Sequence, residues 1–319
     1  MARILYVCFA SPAPTGGDKV IYRHVALLKQ MGFDAWVLHP EAGFRHSGLD
    51  HHPPVLGFDQ LRWQADDVVV MPEDLGPALC SLARGLRKII FNQNAYYSFR
   101  GFHALNGPLP PYRDPEFLAS LVVSEDNRNY LNYAFPGLRC HRLHLCVDPE
   151  RFRFVGADCK RRQIAYMTRK NSDDVIQVLQ ILRARGRLPD WQFTPIEDVD
   201  EQGVALRLEH AALFLAFGHP EGLSLSHLEA MARGCRVIGY SGMGGREFFA
   251  GNRAVEIPPG DVIAFVQAIE QEAERFSQRH PDLLAAMEAA ARHVHNTYTA
   301  QAERNDLRQF YSALLAPLG

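Results

Sequence analysis

Short apolar runs alternate with amphipathic stretches along this 319-residue chain. Arg3–Phe9, rich in Ile, Leu and Val, predicts a buried first strand. The loop Ser11–Asp18 follows. Asp18 is placed to cap a helix running to about Met31, with Val20, Ile21, His24, Val25, Leu27 and Leu28 on one face. Gly32 ends that helix, and Ala35–Leu38 predicts a second strand. Strands are then predicted at Asp67–Met71, Lys88–Asn92, Phe117–Ser124 and Arg142–Cys146, with helices at Leu75–Leu86 and Asn127–Tyr133. A second series begins after Asp148–Phe152. Its strands are Gln163–Met167, Trp191–Thr194, Ala212–Ala216 and Arg236–Tyr240, separated by helices Asp173–Arg185, Glu201–Glu209 and Ser226–Arg233. Helices near Asp261–Arg275, Pro281–His295 and Ala302–Leu315 finish the chain. Strands alternating with helices predict parallel sheets, here two.

Between Gly43 and Trp63 the rhythm breaks. His46, His51 and His52 lie there without the fixed spacing that a helix or strand gives metal ligands. The stretch therefore reads as a loop, and no metal is expected.

Length supports two domains, each able to bury its own core. Residues 1–150 carry 14 basic and 15 acidic side chains, the remainder 20 and 21, so neither half is a basic module for nucleic acid. Lys160, Arg161 and Arg162 form the densest basic cluster, which reads as a solvated turn; peripheral contact with an anionic membrane stays open as the alternative. The six cysteines form no C-x-x-C pair, and several sit in apolar runs, as reduced buried thiols do. With no signal-peptide pattern and no apolar run of membrane-spanning length, a cytoplasmic protein is expected.

The chemistry concentrates at predicted strand ends. In Phe217-Gly-His-Pro-Glu221-Gly-Leu-Ser-Leu-Ser-His-Leu-Glu229, two glutamates stand eight positions apart. On one helix they would point about 80° apart. With Glu221 in a loop instead, both can face one crevice at the carboxyl end of a parallel sheet, where ligands bind. Carboxylates there suit hydroxyl-rich ligands. The competing readings are a surface turn for Glu221 and a capping box, Ser226 with Glu229, for the second glutamate. Gly16 and Gly17 precede a helix N-terminus, which favours an anion or a plain capped turn equally, and G-x-G-x-x-G is absent from that turn. Arg169 and Lys170 end a strand, as a diphosphate clamp or as a solvated pair. Ser241–Gly245 holds three glycines in four positions before a short helix, which permits close backbone approach to a ligand.

Glu221-Gly-Leu-Ser-Leu-Ser-His-Leu-Glu229-Ala-Met-Ala-Arg-Gly234-Cys-Arg-Val-Ile238, followed by Gly242–Glu247, resembles the E-x7-E block and glycine-rich turn of retaining family 4 glycosyltransferases. Leu145–Phe152 is similar to that family's interdomain segment, Thr15–Gly17 to its N-terminal glycine loop, and Val122–Glu125 to a further strand end. The resemblance implies a GT-B fold, with two Rossmann-like domains whose parallel sheets face a central cleft. Residues 1–150 would form the acceptor domain, joined by a last helix at about 298–319, and 151–297 the nucleotide-sugar domain. It implies that Glu221 holds the donor sugar and is catalytic, that Glu229 holds the ribose, and that Arg169, Lys170 and the Gly16–Gly17 amides meet the diphosphate. Gly222, Leu223 and Ser224 would also touch the donor. Three positions depart from the pattern. Arg169 and Lys170 are adjacent where the family spaces them, Arg236 replaces a proline, and Asn92–Tyr97 lacks the histidine common after the fourth strand. Asn94 stands in as the catalytic candidate of that loop, with Gln93, Tyr96 and Tyr97 toward the acceptor; Phe99 adds to a possible aromatic platform, and ordinary loop packing is the alternative.

The implied activity is transfer of a hexosyl unit from a nucleotide diphosphate sugar to a hydroxyl of a glycan, lipid-linked or small-molecule acceptor. It would proceed with retention and without a metal or other cofactor, in polysaccharide biosynthesis. A nucleotide-sugar epimerase of the same fold and a non-catalytic nucleotide-sugar-binding protein are the rival readings.

Overall fold

The computed structural model describes residues 2–11 and 13–316. Two compact units divide the chain. The first ends at Leu145 and resumes at Gln301; the second runs Cys146–Ala300.

The first unit is built on β1 (Arg3–Val7), α1 (Gly16–Gln30), β2 (Asp34–His39), β3 (Val55–Gly57), β4 (Val68–Pro72), β5 (Arg87–Asn92), β6 (Phe117–Val122), α2 (Glu125–Ala134) and β7 (Cys140–Arg142). Its seven strands are ordered β3-β2-β1-β4-β5-β6-β7 and pair in parallel throughout. The chain winds outward from β1 through β2 to β3, then returns to β4 on β1's other side. That reversal opens a crevice at the carboxyl ends of β1 and β4. The five residues of β4 are all buried, as expected of a parallel strand covered on both faces.

The second unit holds β8 (Arg161–Tyr166), α3 (Ser172–Arg185), β9 (Gln192–Pro195), α4 (Glu201–His210), β10 (Ala211–Ala216), α5 (Leu225–Ala232), β11 (Arg236–Gly239), α6 (Arg246–Phe249), β12 (Ala254–Glu256), α7 (Val262–Ser277) and α8 (Pro281–Thr297). Its sheet, β12-β11-β10-β8-β9, is again parallel. Here the order reverses between β8 and β10. One core joins Ile164, Val178, Leu182, Leu213, Leu215, Phe265 and Ile269. Arg236, the departure from a proline, is buried and explained by its partners: Nε donates to Glu272 at 2.7 Å and Nη1 to the Asn252 carbonyl at 2.7 Å.

The α/β fold with two parallel sheets expected from the sequence is the fold observed. Four local expectations fail. The Leu75–Leu86 helix is instead a 3-10 segment, Glu73–Cys80, followed by turns. Gly76 takes φ 55°, and a Cβ there would stand 2.7 Å from the Arg100 carbonyl oxygen; Pro77 then denies the segment an amide donor. The Gly43–Trp63 stretch holds the short strand β3. The expected strand at Arg142–Cys146 lies earlier, at Cys140–Arg142. Asp18 is not the helix cap: Thr15 is, and Asp18 is its reciprocal partner in a capping box. The sequence reading also missed β12, three residues long.

All six cysteines are free: Cys8, Cys146 and Cys235 are buried, Cys80 and Cys140 half-buried, Cys159 exposed. Among the described residues no helix is long and apolar enough to cross a membrane.

The last helix, α9 (Ala300–Leu314), belongs to the first unit by its contacts. Leu307, Phe310 and Tyr311 are buried, and Tyr311 donates to the Tyr6 hydroxyl of β1 at 2.8 Å. Glu303, with no exposed surface, accepts from Arg23 Nε at 3.1 Å and faces His24 Nε2 at 3.2 Å, both on α1. Burial opposes ionisation of Glu303, but Arg23 and His24 outweigh it and hold the carboxyl below its usual range. Asp306 accepts from the His144 backbone at 2.8 Å. Removing one partner of a buried charged cluster leaves the other desolvated and unmatched. Glu303→Ala is therefore expected to destabilise the protein by about 3 kcal/mol, read from urea unfolding. Tyr311→Phe should cost only about 1 kcal/mol, the value of one net hydrogen bond. A Glu303→Ala midpoint equal to the parent's would show that the carboxylate does not anchor α9.

Candidate functional site

In the second unit, three loops follow the carboxyl ends of β8, β10 and β11. Because β10 lies between the other two strands, those loops are neighbours. Backbone hydrogen bonds join two of them. Glu221 N donates to the Gly242 carbonyl at 2.7 Å, and Gly244 N to the Glu221 carbonyl at 3.2 Å. Glu221 and Met243 form a parallel bridge. The glycines make this possible. A Cβ on Gly242 would lie 2.7 Å from Glu221 Cβ, and one on Gly244 would overlap the Gly222 carbonyl. The glycine-rich turn was expected to admit a ligand closely; what approaches it is the backbone of 221–222. Glu247, the last residue of that motif, accepts the Tyr298 hydroxyl at 2.7 Å, an internal tie of the second unit.

The third loop is drawn in by side chains. Lys170, after β8, pairs with Glu221, Nζ to Oε1 at 2.5 Å, with the side chains 31% and 19% exposed. Asn171 occupies the left-handed region at φ 49° and donates to the carbonyls of Phe217 at 2.6 Å and His219 at 3.2 Å. The sequence offers Asn171 only as part of a helix cap with Ser172 and Asp173; it is the N-cap of α3, but its side chain makes no cap hydrogen bond and turns to the neighbouring loop instead, in a conformation that Asn tolerates. Arg169 is exposed and makes no hydrogen bond or ion pair among the described residues. The structure thus brings Lys170 to Glu221 and leaves the Arg169 guanidinium in solvent at the same loop.

Glu229 lies in α5, whose N-cap is Ser224 rather than Ser226, so the competing reading of a Ser226–Glu229 capping box does not describe this helix. The Ser224 side chain makes no cap hydrogen bond to α5 and instead meets Ser226 Oγ at 3.1 Å. The first-turn amides of α5 therefore lack a side-chain acceptor, next to buried Gly222 and Leu223. His227, inside the same motif, faces the core. Its ring packs near Phe214, Phe248 and Phe249, and burial, then Lys170, pushes its pKa down to about 3.

In the first unit, the loops after β1, β4 and β5 meet. Gly16 and Gly17 form the first turn of α1. Gly17 is close to Gln93: an added Cβ would lie 3.0 Å from Nε2, and Gln93 Nε2 donates to the Gly17 carbonyl at 3.4 Å. The amides of Gln93 and Asn94 both donate to Glu73, at 3.2 and 2.6 Å. Glu73 is buried, and burial, aided by Asp74, raises its carboxyl to about 8. Sequence reading passed over this residue because it falls in the short gap between the expected strand Asp67–Met71 and the expected helix Leu75–Leu86. Asn94 Oδ1 accepts from the Tyr96 amide at 3.1 Å. Tyr96 donates to Asp126 at 2.8 Å, and the Arg100 guanidinium lies 3.7 Å from the centre of the Tyr97 ring. Asn92 holds the loop from below: Tyr112 and Ser98 donate to its Oδ1, and its Nδ2 donates to Ser120.

No family model matches the chain. It is 28% identical over 251 residues to an alpha-1,6-glucosyltransferase of Actinobacillus pleuropneumoniae serotype 7 (strain AP76), covering 75% of this chain and 72% of that protein. In structure it is similar to sucrose-phosphate synthase from Thermosynechococcus elongatus, with TM-score 0.71, 12% identity, and 99% and 100% of the two chains covered. It is also similar to Anabaena HepE in complex with UDP and glucose, with TM-score 0.70, 14% identity, and 98% and 100% covered. The fold is the GT-B fold of these neighbours.

His227 supplies a test of its buried setting. Its folded pKa lies below the unfolded value of 6.5, so below pH 6.5 the unfolded chain takes up a proton that the folded chain refuses. The stability tied to the neutral ring is present above pH 6.5 and is lost as pH falls toward 3. Between about pH 6 and 4, the parent should lose about 1.4 kcal/mol per pH unit more than His227→Leu. Urea unfolding at several pH values checks this; parallel profiles would show that the ring titrates in the folded state.

Proposed function

We propose that this chain is a glycosyltransferase that moves a hexosyl unit from a nucleotide diphosphate sugar to an acceptor hydroxyl, retaining anomeric configuration. The observation that carries this reading is the Lys170–Glu221 pair at the reversal point of the second sheet, beside the uncapped first turn of α5. It places a cation, a carboxylate and free amides where a parallel sheet binds ligands. The GT-B fold and the glucosyltransferase relative agree with it. UDP-glucose is the first donor to test, since HepE was seen with UDP and glucose.

In this reading Glu221 accepts hydrogen bonds from the donor sugar's hydroxyls, and Glu229 from the ribose. Arg169 and Lys170 neutralise the diphosphate. Lys170 shifts from Glu221 toward phosphate as the donor enters, freeing carboxylate acceptor sites for the sugar. Amides of Gly222, Leu223 and Ser224 complete the donor site. As the anomeric C–O bond breaks, charge builds on the diphosphate, and these cations and amides stabilise it without requiring a metal. The acceptor hydroxyl attacks from the face the diphosphate leaves, which retains configuration. The first unit's own candidates are Gly16, Gly17, Gln93 and Asn94, with Tyr96 and Tyr97 for the acceptor. In this reading the reaction takes place in the cytoplasm and serves polysaccharide assembly. An epimerase would need a general base at the sugar carbon, and the donor-side groups offer a carboxylate already paired with lysine.

Glu221→Gln is expected to lower transfer about 100-fold, as misplacement of the sugar does, with near-parent UDP affinity and unfolding midpoint. Transfer at the parent rate would remove Glu221 from the donor site. Arg169→Ala should weaken UDP far more than uridine, because only the diphosphate carries the charge; equal losses would exclude a phosphate role. Glu229→Ala should weaken both ligands alike, by about 1.5–3 kcal/mol, in calorimetric titration.

A further inference from the structure

At the carboxyl ends of β1 and β2, three soft or borderline donors converge. Cys8 follows β1, His39 ends β2, and His46 returns from the loop beyond it. One ligand atom from each lies within 4.8 Å of the others, and all three residues are buried, at 0%, 0% and 3% exposure. Strand pairing fixes two of them, because the Cys8 amide donates to the Leu38 carbonyl at 3.0 Å. His46 Nε2 lies 3.0 Å from the Phe9 carbonyl and 3.9 Å from Asp18 Oδ2.

We infer that Cys8, His39 and His46 form a binding site for a single divalent transition-metal cation of borderline softness, zinc(II) being the fitting one. Four observations support this. Thiolate sulfur and imidazole nitrogen are both zinc ligands, and three protein ligands leave the fourth tetrahedral position for water. His39 Nδ1 is buried with no hydrogen-bond partner, an uncompensated polar atom that a cation would satisfy. Its other nitrogen, Nε2, is held by the Tyr22 hydroxyl at 2.8 Å, and that hydroxyl also accepts the His46 amide at 3.0 Å. Such outer partners fix ligand rings in metal sites. Finally, Asp18 Oδ1 lies 3.4 Å from Cys8 Sγ, so one carboxylate and one thiolate balance a dication without leaving net charge in the core. Binding replaces the Cys8 S–H bond with an S–metal bond, and the proton passes to solvent. Asp18 is then released from the thiol to accept from a metal-bound water. The pattern was hidden in sequence because the clustered histidines His46, His51 and His52 drew attention, whereas the site takes one of them and joins it to distant Cys8 and His39.

The same cation would tie the β1–α1 turn to the sheet. Asp18 Oδ2 also accepts from Thr15 N at 2.8 Å, from Thr15 Oγ1 at 2.8 Å and from Ser11 Oγ at 3.2 Å, which sets the turn carrying Gly16 and Gly17. The role is structural and is separate from the donor residues of the second unit.

The test loads purified full-length protein with zinc(II), removes the excess by gel filtration and measures bound metal by mass spectrometry. A parallel cobalt(II) titration reads the thiolate-to-cobalt charge-transfer band. The expected result is about one equivalent per chain, a cobalt–thiolate band, and a zinc-dependent rise in melting temperature. Cys8→Ser and His46→Phe should each lose the band and the rise, while Cys235→Ser, which alters another buried cysteine, keeps both. His46→Phe preserves the ring packing against Phe44 and Tyr22 and so guards against mere misfolding. Parent protein that retains no zinc and develops no cobalt–thiolate band would overturn the proposal. So would a band that persists in Cys8→Ser.

Discussion

The candidate donor site depends on one constraint: the backbone of residue 221 is pinned to the glycine turn after β11. Glu221 N to Gly242 O and Gly244 N to Glu221 O make the two loops a short extension of the parallel sheet beyond its last regular strand residues. This pairing requires that positions 242 and 244 carry no side chain, because a Cβ at either would meet the Glu221–Gly222 backbone or Glu221 Cβ. Once it forms, the Glu221 side chain projects from a fixed base. Lys170 and Asn171 then close the third loop onto the one after β10 through a charge pair and an amide fork. Loops at the edge of a sheet ordinarily have the lowest local stability. Here the ligand-facing ones inherit order from the ladder beneath them.

Charged residues in this protein divide by exposure, and the division tracks what they do. Arg236–Glu272 and Glu303 with Arg23 and His24 involve deeply buried groups with several partners each, and they hold elements together. Glu221, Lys170 and Arg169 retain contact with solvent. A charge that must exchange its partner for a ligand cannot be desolvated beforehand without a large penalty. Arg236 falls in the first group, held by Glu272 and the Asn252 carbonyl.

Much of this was legible in the chain because parallel sheets write themselves as buried apolar runs at regular intervals. The runs at Asp67–Met71 and Ala212–Ala216 were read nearly to the residue, and the strand order placed Lys170 and Glu221 together as their positions after strands suggested. What escaped was decided by contacts remote in sequence. Leu75–Leu86 has helical spacing of apolar residues, yet Gly76 must sit against the Arg100 carbonyl, and that outweighs local propensity. Asp18 reads as a cap in isolation; Thr15, three residues earlier, wins because Asp18 can return a hydrogen bond to it. Short strands such as β3 and β12 exist only because a neighbour supplies the pairing, so three residues carry no periodicity to detect. Glu73 was hidden for a related reason, since its role is to receive amides from a loop twenty residues on.

The loop after β5 bears on how the proposed chemistry is divided between the units. Its polar groups are committed to one another or to the scaffold: Asn94 Oδ1 to the Tyr96 amide, the Tyr96 hydroxyl to Asp126, the Tyr97 ring to Arg100, and both Gln93 and Asn94 amides to Glu73. Glu73 itself is enclosed beneath the loop, where two amides occupy its oxygens, so it holds the loop in shape rather than reaching outward. A loop so occupied presents a rigid surface with amide and carbonyl dipoles, and its side chains supply no strong base near neutral pH. Retaining transfer asks little of such a base if the departing diphosphate can take the acceptor's proton as negative charge gathers on it. The weight then falls on stabilising that charge, which is what a pair of cations and an uncapped helix turn provide in the second unit. In the proposed reaction, an asparagine at position 94 already committed to the Tyr96 amide is compatible with this division.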